Sequence, residues 1–328
     1  MPSTRRRRSL TRTSAIVTCT VVLAVMLSGG TAWASVPIET VVAFNAATGE
    51  FPEGVAVDNT GNVYVSLIEP VGDVVKFSPD GSRTVLAHFA AANFGPLGLA
   101  TDNSGNIYVA DATFDASSAG VYRVTPDGTS TRLTGTGPMQ FPNGVALDKR
   151  GNVYATDSAT GAVWRIPPGG SGEIWFQGPL LEGTGALGLG LPIGANGIAF
   201  RNGQILVANT EGAKLVSIPV LPDGSAGSPT VMAEGSDLFG SDGIALGVLG
   251  DVFVAVNPQN RLVRVASDGS VTTLASAADG LESPASLAFG AGRGDRKSLY
   301  VTNFALFSSP AHPALLKVGV GEPGAPLP

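Results

Sequence analysis

Cysteine is nearly missing from this chain of 328 residues. The single one, Cys19, excludes an internal disulfide, and Val17-Thr18 before it lacks the small residues that lipid anchoring requires. Histidine is nearly as scarce, with only His88 and His312, which disfavours the ligand sets typical of zinc and copper. Long apolar runs are also lacking. The best one, Ala15–Leu27, is too short to span a bilayer comfortably and ends at Ser28-Gly29-Gly30. Beyond it no segment of helical period has useful length, and the glycine-rich stretch Gly183–Gly190 has no phosphate-binding context.

The N-terminus has the three parts of an export signal. Arg5–Arg8 and Arg12 are the basic leader, Ala15–Leu27 the apolar region, and Ala32-Trp33-Ala34 the small-x-small cleavage site. A retained signal anchor is the alternative, disfavoured by the short apolar run. Arg7-Arg8-Ser9-Leu10 leaves the twin-arginine route open beside the general one. The expected division is a leader over 1–34, a folded domain over 35–320 and a Gly/Pro tail over 321–328. Removing the leader takes five of 20 basic residues and no acids, so the other 15 face 26 acidic ones, a balance of −11. That charge argues against nucleic acid and anionic membrane as partners. A secreted monomer held by packing or metal is expected.

What the chain has in abundance is self-similarity. Phe51-Pro-Glu-Gly-Val-Ala-Val-Asp58, Gly95-Pro-Leu-Gly-Leu-Ala-Thr-Asp102 and Phe141-Pro-Asn-Gly-Val-Ala-Leu-Asp148 are copies of one motif, and three drifted copies begin at Gly194, Gly240 and Ser283. The residue before the motif's Gly (or Ser286) falls at 53, 97, 143, 196, 242 and 285, at intervals of 44, 46, 53, 46 and 43. A four-stranded propeller blade has this length. Each unit reads as an apolar strand, a Gly-Asn turn, a second strand such as Val63-Tyr-Val-Ser66, an alternating third strand such as Val163-Trp-Arg-Ile166, and an Asp-Gly turn into an outer strand. Lys and Arg of the third strands are expected on a solvated face. The fold class is therefore all-β, a six-bladed β-propeller. Its last unit lacks a fourth strand, and Ile38–Phe44 resembles one, so the ring is expected to close by pairing that segment with Ala314–Val318.

First strands line a propeller's channel, so the six positions before the glycines should meet at one mouth. They read Glu53, Leu97, Asn143, Asn196, Asp242 and Ala285. Four carry oxygen ligands suited to a hard cation such as Ca²⁺. The competing account is turn chemistry, since Asn-Gly and Asp-Gly are turn formers, although Glu53 is a poor turn residue in that slot. Asp111, Asp157, Asn209 and Asn303, after the second strands, read as strand-end turn residues. His88, at a fourth-strand end, and His312, in a late loop, read as surface or packing residues. Gly183–Gly190 is an insertion that accounts for the 53-residue interval and is expected over the mouth, shaping an apolar pocket.

The order Glu53, Asn143, Asn196, Asp242, with Asn196-Gly-Ile-Ala and Leu299-Tyr-Val-Thr302, resembles the senescence marker protein, gluconolactonase and luciferin-regenerating enzyme family, and more distantly the paraoxonases. The units also resemble NHL-type repeats. The first resemblance implies a divalent metal held by Glu53, Asn196 and Asp242, with Asn143 a fourth ligand or a substrate contact. It further implies Asp242 as general base, water as nucleophile, and a small lactone or ester as substrate. No counterpart of the family's substrate-clamping arginine or of the paraoxonase histidine pair is evident. A non-catalytic binding propeller with a structural calcium is the alternative, and a lyase or synthase on the same scaffold a third.

Overall fold

In a computed structural model the described residues are Met1, 36–68, 70–89, 94–292 and 294–326. The expected leader with Cys19 and the cleavage site at Ala34 lies outside them. Twenty-four strands form six antiparallel four-stranded sheets, with only four 3₁₀ turns as helical structure among the described residues. The inner strands of the six blades are Pro52–Val57, Gly95–Thr101, Pro142–Leu147, Ala195–Arg201, Ser241–Leu246 and Pro284–Phe289. Each lies beside the inner strands of both neighbouring blades, and the last lies beside the first, which makes the ring. The all-β six-bladed propeller expected from the repeat is the fold observed. No helix among the described residues is long and apolar enough to cross a membrane.

The repeat's turn residues explain themselves locally. Asp58 ends the first inner strand and accepts the N–H groups of Thr60 (2.9 Å) and Asn62 (3.0 Å) on one oxygen and the Asn62 carboxamide (2.7 Å) on the other. Asp102 and Asp148 do the same to the loops reaching Asn106 and Asn152, so Asp-x-x-Gly-Asn is a self-bracing hairpin. Asp80, Asp127, Asp223 and Asp268 each accept the N–H two residues on, fixing the turn into the outer strand.

Both faces of a blade are apolar because both are covered. Val63 and Val65 pack in the layer shared with blade six, whereas Tyr64 between them packs in the layer shared with blade two. The core is thus divided into six interblade layers rather than one centre. Third-strand cations do not all face solvent, as expected from alternation alone. Arg165 is half-buried and donates to the Gly224 carbonyl of the next blade, which also accepts from Trp175 Nε1 (2.8 Å).

Blade six is completed by the N-terminal strand, Ile38–Ala43, which pairs antiparallel with Ala314–Gly319 from Ile38 opposite Val318 to Ala43 opposite Ala314. This is the closure the missing fourth strand predicts. The tail then turns back, with Gly324 bridging Gly247 and Ala325 N–H donating to the Leu246 carbonyl (2.7 Å).

Candidate functional site

In every blade the pairing between inner and second strand slips at the same place, between the residue before the marker position and the residue two after it. The slip is a β-bulge that turns the marker residue out of the ladder and toward the channel. The glycine that follows is required by close approach of backbones. A Cβ on Gly98 would collide with the carbonyl oxygen of Asn143, and one on Gly197 with that of Asp242. Hydroxyls from second strands tie the ring together. Thr156 accepts from Gly144 N–H (2.8 Å) and donates to the Asn196 carbonyl (2.7 Å), while Thr302 accepts from Ser286 N–H (2.8 Å) and donates to the Glu53 carbonyl (2.6 Å).

Glu53, Asn143, Asn196 and Asp242, separated by up to 189 residues in sequence, line one cavity of about 60 Å³, together with Ala285 and the apolar side chains of the next channel tier. That volume admits a few waters or a partly hydrated ion. Glu53, Asn143 and Asn196 are buried, and Asp242 keeps partial exposure. None of the residues lining the cavity is basic. Burial, followed by the charge of Asp242, pushes the Glu53 carboxyl well above the usual range, and its Oε2 is buried without a hydrogen-bond partner. Burial pushes Asp242 up to about 7, against hydrogen bonds from Asn257 and Asn196 that favour its ionised form.

Two partners escaped the sequence reading. Asn257 donates to Asp242 Oδ2 (3.2 Å), and Thr210 accepts from the Asn196 carboxamide (3.0 Å). Both stand two residues past the second-strand position held by Ser66 in blade one, a column that reads Ile68, Ala112, Ser158, Thr210, Asn257 and Phe304. Backbone bonds confirm the equivalence: Ile68, Ser158, Thr210, Asn257 and Phe304 each donate N–H to the carbonyl two residues before the blade's marker, and Ala112 pairs with Gly95. Aligning the six second strands past their ends would have exposed it.

The preceding column is structural, as expected: Asn209 caps its own strand end by accepting from Gly212 N–H (2.8 Å), and its residues also hold neighbouring loops. Asp157 accepts from Gln140 and Phe141 N–H (2.9 and 3.0 Å), and Asn303 accepts from Glu282 N–H (2.6 Å). Asn209 holds the insertion through the carbonyls of Leu180 and Glu182 (2.9 Å each), while Asp111 is buried at the equivalent position. The insertion is fastened further by the buried Glu211 carboxylate, which accepts from the N–H groups of Thr184 (2.6 Å) and Leu187 (2.9 Å). Leu187 and Leu191 pack on an apolar cluster that contains Leu97 and Ala285, the two apolar marker residues. Neither histidine is among the residues lining the cavity: His88 pairs with Asp73 (2.8 Å) and His312 with Glu282 (3.1 Å), both exposed.

Among solved structures, the chain is similar to a gluconolactonase from Xanthomonas campestris (TM-score 0.64, 18% identity, 88% of this chain and 90% of that one). It is similar also to a luciferin-regenerating enzyme (TM-score 0.66, 15% identity, 89% and 98%) and to a streptogramin B lyase (TM-score 0.60, 12% identity, 88% and 99%). No family model matches the chain, and no curated protein matches it in sequence. At these identities the likeness establishes the six-bladed propeller fold.

Proposed function

We propose that this protein is an exported, metal-dependent hydrolase of lactone or ester substrates, acting at the ring formed by Glu53, Asn143, Asn196 and Asp242. The observation that supports it best is the pair of carboxylates, Glu53 buried and Asp242 partly exposed, without a basic residue in the cavity lining, and the Glu53 oxygen that has no hydrogen-bond partner. Two carboxylates and two carboxamides suit a hard dication of the calcium type, which would offset the burial that raises both carboxyls and the Asp242 charge that raises Glu53 further. Glu53, Asn196 and Asp242 would hold it, with Asn143 as a fourth ligand or as the group that orients the substrate. When bound, such an ion supplies a Lewis acid that polarises a carbonyl and stabilises the negative charge developing on its oxygen.

The chain's own residues supply the remaining parts. Asp242 accepts the proton of the attacking water, its carboxylate oriented by the carboxamides of Asn257 and Asn196. Thr210 holds the Asn196 carboxamide in place, and the Thr156 and Thr302 hydroxyls fix the backbones that present Asn196 and Glu53. The apolar tier next to the ring, Val55, Leu99, Val145, Ile198, Ile244 and Leu287, lines the channel beside it.

The test is hydrolysis of a lactone and aryl-ester panel with and without chelator, by wild type and Asp242→Ala. Turnover that requires both calcium and Asp242 supports the proposal, and turnover that survives both treatments rejects it. The burial of Glu53, Asn143 and Asn196 in so small a cavity favours one second reading, a binding propeller with a structural calcium. Calcium raising the melting temperature without any turnover would select it.

A further inference from the structure

Two columns of the repeat surround the mouth, the marker residues and the residues just past the second strands, and both divide the same way. Blades three, four and five contribute Asn143, Asn196 and Asp242 from the first column and Ser158, Thr210 and Asn257 from the second. Blades six, one and two contribute Ala285 and Leu97 from the first, and Phe304, Ile68 and Ala112 from the second. Glu53 is the single polar residue in that half. These five apolar residues belong to one cluster, which Phe141 and Ile193 join from the polar side and to which Phe51, Phe94, Leu187, Leu191 and Leu306 are attached. The mouth is thus two-faced, with oxygen ligands on one half and hydrocarbon on the other.

The hydrocarbon half extends to the surface instead of ending as core. Phe94, Phe114 and Phe141 form a ring triad with centroids 5.2 to 6.1 Å apart, and Phe304 stacks edge-on to Phe307 at 6.3 Å. Phe114 is 48% exposed, Phe307 68% and Leu189, on the insertion, 50%. Phe114 also sits at φ 56°, a left-handed conformation that a bulky side chain adopts at a cost. Its loop is nevertheless held, because the Arg132 guanidinium donates to the carbonyls of Ala116 (2.8 Å) and Ser117 (2.9 Å). A strained, exposed aromatic on an anchored loop beside a buried apolar wall is a surface shaped to receive apolar matter. A polyhydroxylated ring would leave its hydroxyls unpaired against this wall.

We infer that the substrate of this site carries its reactive carbonyl on the oxygen half of the mouth and an apolar substituent, an alkyl chain or aromatic ring, on the half walled by Phe94, Phe114, Phe304 and Phe307. The substrate class is an alkyl- or aryl-substituted lactone or ester, not a sugar lactone. The inference rests on the proposed lactonase reading, and the two fail differently.

The experiment uses the whole mature protein with calcium and the γ-lactones butyro-, hexa-, octa- and decalactone, with glucono-δ-lactone as the hydroxylated comparison. The specificity constant kcat/KM should rise about fourfold per added methylene along the first part of the series and be lowest for glucono-δ-lactone. Phe114→Ala should flatten that rise, lowering kcat/KM for decalactone about tenfold more than for butyrolactone, and Phe307→Ala should act in the same direction. A kcat/KM independent of chain length, or highest for glucono-δ-lactone, overturns the substrate class while leaving the hydrolase intact. If no member is hydrolysed the hydrolase reading fails, and thermal-shift binding of the same series decides the inference: stabilisation growing with chain length sustains an apolar ligand, and none overturns it.

Discussion

Glu53 and Asp242 share one small cavity with no basic side chain in its lining, and each makes the other's ionisation more costly. Their folded-state affinities for protons are raised, so between the ordinary carboxylate range and about pH 7 the metal-free fold holds more protons than the unfolded chain. Stability of the metal-free protein is therefore fully present below about pH 4 and declines as pH rises through about 7. Melting curves in chelator from pH 4 to 8 should show a fall on the order of 5–10 °C, which calcium reverses at the high-pH end. A flat profile would exclude the pair as strained carboxylates. Glu53→Gln should raise the chelator-treated melting temperature at pH 7.5, because it neutralises the group with the orphaned oxygen. It should also abolish most of the calcium-induced shift, and a shift equal to that of wild type would remove Glu53 from the ligand set. Asp242→Asn keeps the shape of the side chain and removes the base, so kcat should fall about 10²- to 10⁴-fold while the fold persists in circular dichroism.

Elements carry these residues to one point by a bulge repeated six times, followed in five blades by a glycine. Because the next blade's carbonyl lies against that glycine, Gly197→Ala must push the Asp242 backbone away or distort its own strand. The expected cost is about 1–3 kcal/mol in urea unfolding, with loss of activity at temperatures where the variant is still folded. A variant with wild-type stability would refute the account of the close-packed ring. Ser286 shows that the device tolerates drift in blade six, where the Thr302 hydroxyl takes the Ser286 N–H as Thr156 takes the Gly144 N–H. The sequence makes the bulged motif visible as a recurring Gly-Val-Ala-Val-Asp run. It does not make visible that the hydroxyls of Ser66, Thr156 and Thr302 lie under the next blade's marker, because that contact spans two blades.

The described residues from 36 on form a ring whose core is split into interblade layers, so opening the circle strips one layer of its cover and leaves two blades with a bare face. The N-terminal strand that pairs with Ala314–Gly319 closes it. Deleting the chain through Ala43 should expose the edge of the last third strand and the layer containing Val42 and Leu315. We expect a drop in melting temperature of more than about 10 °C or outright aggregation, followed by scanning calorimetry and light scattering. An unchanged transition would show that the ring does not depend on its closure.

The sequence by itself determined the number of blades, the order of strands within them, the closing strand and the marker positions, five of which line the cavity while Leu97 does not. Those follow from period, alternation and turn chemistry, which are local and repeat with the chain. Only the tertiary structure decided which groups meet: Asn257 against Asp242, Thr210 against Asn196, Arg165 against Gly224, and Leu187 and Leu191 of the insertion region against the cluster that contains Leu97 and Ala285. It also decided that the mouth is polar on one half and apolar on the other, a property of neighbouring blades and of no single repeat. The physical reason is that turns and strands are specified by residues a few positions apart. A site at the axis of a propeller is instead made by backbones that converge from all six units, and its chemistry is set by burial and charge that exist only once the ring has closed.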